Sequence, residues 1–235
     1  MDVLARLDEA RRRTNVLEHP FYRRWSAGEL SMGELSVYAG EYRHAVVALA
    51  QASTQLADAA GPEHRVGLRR HAEEEQAHVA LWDEFARAAG ASAGVAAGLE
   101  GPAEGESVRG GHKLPTAQTQ ACAAAWTAGE DVLERLAVLY AIEASQPEIA
   151  RTKLEGLSEH YGYADEGPGV EYFTLHERLD VEHARQAGEL IEALLDGRDD
   201  AETVADRMVS RAEAALDGNW ELLSGVEAMQ EAVEA

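Results

Sequence analysis

The run EYFTLHERLDVEHARQAGELI (171–191) sets His176, Asp180 and His183 at i, i+4 and i+7. On a helix these three lie within roughly 60° of one another, so their side chains form one stripe that can grip a cation. In RRHAEEEQAHVALWDEF (69–85), Glu75 and His78 are three apart and reach the same side from successive turns. The apolar Val79, Leu81, Trp82 and Phe85 beside them predict a helix packed against a core. Glu73 and Glu74 are neighbouring carboxylates that could serve instead of Glu75, and Glu41 with His44 repeats the E-x-x-H spacing.

A third element, LAVLYAIEASQPEIARTKLEGL (136–157), places Glu143 after Leu139, Tyr140, Ala141 and Ile142. A carboxylate in such surroundings needs a counter-charge, because burial alone disfavours the ionised form. Arg151 or Lys153 could provide it as a salt bridge; a metal ion is the other candidate. Taken together, Glu75, His78, Glu143, His176, Asp180 and His183 offer three imidazoles and three carboxylates from three helices. That mixture suits two divalent ions of intermediate hardness, iron or manganese, better than one zinc. Open positions on reduced iron would admit dioxygen, which makes redox chemistry the expected use.

These residues must be positioned by helices. Ala, Leu, Glu and Arg dominate, apolar residues recur at helical spacing, and no segment alternates like a strand. An all-α domain of about seven helices is expected over 1–235, with helices near 2–16, 33–59, 62–90, 116–146, 147–159, 168–197 and 200–232. Pro147 is expected to kink or restart the fourth long helix. In HPFYRRWSAGELS (19–31), Pro20 and Gly28 are read as helix breakers, Phe21, Tyr22 and Trp25 as bulk for burial, and Ser31 as a cap for the next helix. The Gly- and Ala-rich stretch 90–113 reads as a long loop.

A formal net charge of −22 argues against nucleic acid and anionic membranes as partners. The single cysteine, Cys122, excludes an internal disulfide and thiolate metal sites. The first residues lack a signal-like apolar run, and no span of about 18 apolar residues occurs, so a cytoplasmic protein is expected. Lys113 and Lys153 are the only lysines.

The runs LEHPFYRRWSAGELS, AEEE with HVALWDEF, EASQPEIARTKLEGL and YFTLHERLDVEHAR resemble the haem-oxygenase-like di-iron oxidases. That group shares its seven-helix fold with the thiamin-salvage aminopyrimidine hydrolases (TenA-like) and the pyrroloquinoline-quinone synthase (PqqC-like). Within it, the likeness is to the chlamydial death-domain-associating proteins and related 4-aminobenzoate synthases. The resemblance implies a homodimer, two iron ions, dioxygen as co-substrate, an external reductant, and Glu143, His176, Asp180 and His183 as ligands. Its first Glu and His correspond to one of Glu73 to Glu75 and to His78; the E-x-x-H spacing resembles the fatty-acid decarboxylase branch and favours Glu75. In the 4-aminobenzoate synthases a protein tyrosine is taken as the source of the aromatic ring and a nearby lysine as the nitrogen donor. The resemblance gives these roles to Tyr22 and Lys153, with Tyr172 as a second pocket tyrosine, while Ile142 stands where a further tyrosine would be expected.

Other readings make different demands. Oxidative decarboxylation of a fatty acid or amino acid, or N-oxygenation, would use the same ions on an exogenous molecule. A metal-free aminopyrimidine hydrolase would need Cys122 as nucleophile. A ferritin-like protein could use Glu41, Glu75 with His78, Glu143, and Asp180 with His183, leaving His176 surplus. A purely interacting protein would need none of them.

Overall fold

The computed structural model describes residues 2–90 and 115–234, and the loop expected at 90–113 lies almost wholly outside them. The described residues form nine α-helices and one short 3-10 turn, with no strands. They are α1 (Val3–Arg13), the 3-10 turn (Val16–Glu18), α2 (Pro20–Ser26), α3 (Met32–Ala59), α4 (Pro62–Ala88), α5 (Ala117–Trp126), α6 (Val132–Glu143), α7 (Gln146–His160), α8 (Glu171–Leu195) and α9 (Ala201–Glu234).

Three expectations need correction. The helix read over 2–16 stops at Arg13 and gives way to the 3-10 turn. Pro20 does not break a helix but opens α2, where its fixed φ and missing N–H suit the first turn. The helix expected over 116–146 is two, α5 and α6, parted at Thr127–Asp131. Asp131 caps α6 by accepting from the backbone of Glu134 at 2.9 Å. A Cβ on Gly129 would lie 2.9 Å from the backbone nitrogen of Arg135, so the link fits only because that residue is glycine.

Two further expectations match the structure. Ser31 caps α3 reciprocally with Glu34: Ser31 Oγ accepts from the Glu34 N–H at 3.2 Å, and Glu34 Oε2 accepts from the Ser31 N–H at 2.7 Å. Pro147 sits in the first turn of α7 and restarts the chain after Glu143. Helices α3 and α4 form a long hairpin, α6 and α7 pack on α8, and α9 closes the other side against α1, α5 and α6.

Aromatic rings from α2, α3, α4 and α8 fill the centre of the core. Tyr22, Trp25, Tyr38, Tyr42, Trp82, Phe85 and Phe173 are almost completely inaccessible. Burying each ring contributes roughly 1.5–3 kcal/mol. Their indole nitrogens are satisfied: Trp25 donates to the Lys153 carbonyl at 3.2 Å and Trp82 to the Ala39 carbonyl at 2.8 Å. None of the described helices is long and apolar enough to cross a membrane.

Candidate metal centre

Helices α4 and α8 face each other across a buried cluster of imidazoles and carboxylates, and the end of α6 adds Glu143 between them. The His78 ring meets the His176 ring at 4.6 Å between centroids. Glu75 Oε1 lies 3.1 Å from His78 Nδ1, and Asp180 Oδ1 lies 3.4 Å from His183 Nδ1. All six residues singled out in the sequence are buried and converge here. Glu75 is 2 % exposed, whereas the Glu74 side chain is 40 % exposed, pairs with Arg70 at 3.6 Å and meets the outer nitrogen of His183 at 3.4 Å.

One member of the cluster was not foreseen. His71, one turn before Glu75, places Nε2 2.9 Å from Glu143 Oε1 and 3.8 Å from Glu75 Oε1, with its ring 4.2 Å from that of His183. A signal for it existed: His71, Glu75 and His78 have the same i, i+4, i+7 spacing as His176, Asp180 and His183.

The donor atoms test whether a cation fits. Both Glu143 oxygens, both Asp180 oxygens, Glu75 Oε1, His78 Nδ1, His176 Nε2 and His183 Nδ1 are buried without a well-formed hydrogen bond. So many unsatisfied polar atoms would cost several kcal/mol if nothing bound them. Two sets form among the described residues, His71, Glu75, Glu143 and His183, and Glu75, His78 and His176, with donor atoms within 4.8 Å of one another in each and Asp180 in neither. Glu75 belongs to both, as a bridging carboxylate would. Mixed nitrogen and oxygen donors in this number suit a pair of divalent transition metals.

The local electrostatics agree. Burial raises the Asp180 carboxyl, with Glu143 and Glu75 adding to the rise against His183 and His176. Burial opposes the charge on Glu75 too, but His78, His176 and His71 outweigh it and lower that group. Burial also disfavours a proton on His71, yet Glu143, Glu75 and Asp180 overcome it and raise the imidazole to about 9. His176 Nδ1 donates to the Tyr172 carbonyl at 2.6 Å, which fixes the tautomer and leaves the Nε2 lone pair facing the cluster.

The two sides of the cluster differ. On the His71, Glu143 and His183 side a cavity of about 410 Å³ opens between α4, α6 and α8, walled by Leu68, Leu136, Leu139 and Leu190. Gly67 lines it, and a Cβ there would meet nothing within 4 Å. On the other side Tyr172 stacks on His176 at 4.0 Å and leads into packed rings: Trp82 at 4.9 Å, then Tyr38 at 5.9 Å, then Tyr22 at 6.3 Å. Tyr22 and Tyr38 share a hydroxyl hydrogen bond of 2.9 Å. Burial pushes the Tyr22 and Tyr172 phenols well above their usual range.

Lys153 forms no salt bridge with Glu143. Its ammonium nitrogen lies inside this aromatic compartment, 4.9 Å from the Tyr42 ring, 5.1 Å from Phe173 and 5.4 Å from Tyr22. Burial lowers the amine to about 7. Ile142, beside Glu143, is buried and apolar.

Two residues drawn on by other readings lie in different settings. Glu41 Oε2 accepts from the Thr116 backbone at 3.0 Å and the Thr119 hydroxyl at 2.5 Å, holding the start of α5. Cys122 is buried in α5, where desolvation lifts its thiol to about 12, a poor state for a nucleophile.

A model of a family of iron-containing redox enzymes matches residues 37–216. A 4-aminobenzoate synthase of Chlamydia trachomatis is 32% identical over 211 residues, 88% of this chain and 85% of that one. One from Nitrosomonas europaea is 27% identical over 90% of this chain and 85% of its own length. A Shewanella denitrificans domain of unknown function with a haem-oxygenase-like fold superposes with a TM-score of 0.79 at 15% identity, covering 100% of this chain and 96% of that one. A TenA homologue from Pseudomonas syringae gives 0.77 at 15% identity, over 96% and 91%. A haem-oxygenase-like helical frame, a buried nest of unsatisfied nitrogen and oxygen donors, and a family match over most of its length place this chain among the iron-containing redox enzymes.

Proposed function

We propose that this oxidoreductase holds two iron ions in the α4–α6–α8 cluster, uses dioxygen and an external reductant, and makes 4-aminobenzoate from its own Tyr22, with Lys153 supplying nitrogen. The observation that carries this reading is the placement of Lys153 beside Tyr22 in a closed aromatic compartment. Ring contacts join that compartment through Tyr172 to His176. The names of the relatives from Chlamydia and Nitrosomonas support it.

Iron held by Glu75, His78, Glu143, His176, Asp180 and His183 would supply the redox chemistry by which dioxygen acts as oxidant. The protein's own residues do the rest. His176 is oriented by the Tyr172 carbonyl. The packed rings exclude water from Tyr22, which would otherwise quench a reactive ring. Near neutral pH an amine at about 7 keeps a large fraction of Lys153 unprotonated, with a free lone pair 5.4 Å from the centre of the Tyr22 ring. An ordinary lysine at that pH would be almost entirely protonated.

Complementation of a 4-aminobenzoate auxotroph tests the proposal. Wild type should rescue growth, and Tyr22→Phe and Lys153→Arg should each abolish rescue while iron content stays unchanged. Rescue by Tyr22→Phe would sink the self-derived ring.

A second reading is favoured by the cavity. A route of about 410 Å³ that reaches His71, Glu143 and His183 is large enough for an exogenous molecule, such as a fatty acid or amino acid to be decarboxylated or N-oxygenated. Gly67→Leu should narrow that route without harming α4, since leucine is a much better helix former than glycine. Activity lost in Gly67→Leu with no fall in melting temperature would favour an exogenous substrate; rescue of the auxotroph by Gly67→Leu would favour Tyr22.

A further inference from the structure

His71 lies outside the six-residue ligand set, yet the geometry gives it the same standing as the other three imidazoles of the cluster. Helices α4 and α8 carry the same pattern, His-x3-carboxylate-x2-His: His71, Glu75 and His78 on one, His176, Asp180 and His183 on the other. The first His of each helix faces the last His of the other, at 4.2 Å for His71 with His183 and 4.6 Å for His78 with His176. The correspondence extends to the ring atoms. His71 and His176 present Nε2, His78 and His183 present Nδ1, and all four nitrogens are buried without a well-formed hydrogen bond. Each half of the cluster therefore offers one Nε2 and one Nδ1 imidazole, one from each helix, with Glu75 between the halves.

We infer that His71 is a direct ligand of the ion on the cavity side, completing a four-imidazole, three-carboxylate centre, and that it makes this position prefer Fe(II) to Mn(II). The inference rests on the two-ion reading above. Without His71 the cavity-side ion would have His183 as its only imidazole beside Glu75 and Glu143, an oxygen-rich set suited to manganese. A second imidazole tilts the set toward iron, which binds nitrogen more strongly than manganese does. The competing role is an outer one, in which His71 donates from Nε2 to Glu143 Oε1, 2.9 Å away, and never touches metal. That role leaves unexplained why His71 presents the same nitrogen, in the same register, as His176.

Cobalt(II) alone separates the two. Metal-free wild-type protein titrated with Co(II) should take up two ions and show four hyperfine-shifted, solvent-exchangeable imidazole N–H resonances. His71→Ala should lose one resonance and bind one of its ions about tenfold or more weakly, a loss at least as large as removing an outer partner produces. In competition between Fe(II) and Mn(II) without oxygen, His71→Glu should move the metal content toward manganese by about tenfold, read by elemental analysis. Two cobalt ions with only three shifted resonances in wild type would overturn the role of His71 while leaving a two-ion centre standing. Wild type that binds no cobalt would overturn both. The resonance count needs no variant, so a misfolded His71→Ala cannot mask the answer.

Discussion

Lys153 is the residue whose setting departs furthest from its type. A lysine on a helix ordinarily projects into solvent, but here α7 turns its amine into the aromatic compartment, 1 % exposed, and desolvation lowers it to about 7. In the unfolded chain the same amine titrates near its ordinary value of 10.5. Between these values the unfolded chain binds the extra proton, so stability climbs with pH across that window. Below about 7 both states are protonated and the full cost of burying the cation is present. Lys153→Met should therefore raise stability most near or below neutral pH, with the gain shrinking toward about pH 10. Denaturant unfolding of both proteins across that range measures it, and a gain that does not vary with pH would contradict the assigned cause. The Asp180 carboxylate carries a cost of the same kind: buried near Glu143 and Glu75, it weakens the metal-free fold and would be relieved by a cation.

At the scale of elements, the contact of α2 with α7 sets Tyr22 against Lys153. Gly156 permits it, since a Cβ there would lie 2.5 Å from Cδ1 and 2.6 Å from Nε1 of Trp25. Trp25 cannot simply swing away, because its Nε1 donates to the Lys153 carbonyl and its ring is fully buried. Gly156→Ala should cost roughly 1–3 kcal/mol as an overpacking defect. The midpoint of chemical unfolding reads this directly; no loss would mean that α2 and α7 can slide apart freely. The link between α5 and α6 matters similarly, because a continuous helix over 116–146 would not leave Asp131 free to cap α6 and orient Glu143 at its far end.

For the whole molecule, the centre joins three helices that share few other polar ties across the gap between α4 and α8. Binding of metal to the folded chain alone should stabilise it by mass action: about 2.7 kcal/mol at a free concentration one hundred times the dissociation constant. For a chain of this length that amounts to a rise in melting temperature of roughly 5–10 °C. Anaerobic melting with Fe(II) and with a chelator compares the two states, and identical curves would contradict a cation-linked core. The centre also divides the molecule, with a sealed aromatic interior on the His176 side and an open cavity on the His183 side. Chemistry on Tyr22 would use the first and an exogenous substrate the second.

Local sequence determined much of this. Helical periodicity, the Ser31–Glu34 cap and the stripe of His176, Asp180 and His183 depend on neighbours within two turns, so their types and spacing suffice to show them. The same logic could have marked His71, since it repeats the stripe on α4, but spacing alone does not say which of two neighbouring stripes turns inward. Tertiary packing decided that: the pairing of α4 with α8 aims Glu75 at the cluster and leaves Glu74 partly exposed. It also decided that Glu143 meets His71 instead of Arg151 or Lys153, and that a lone lysine is sealed among rings. Burial and mutual approach are properties of several helices at once, and no single segment carries them.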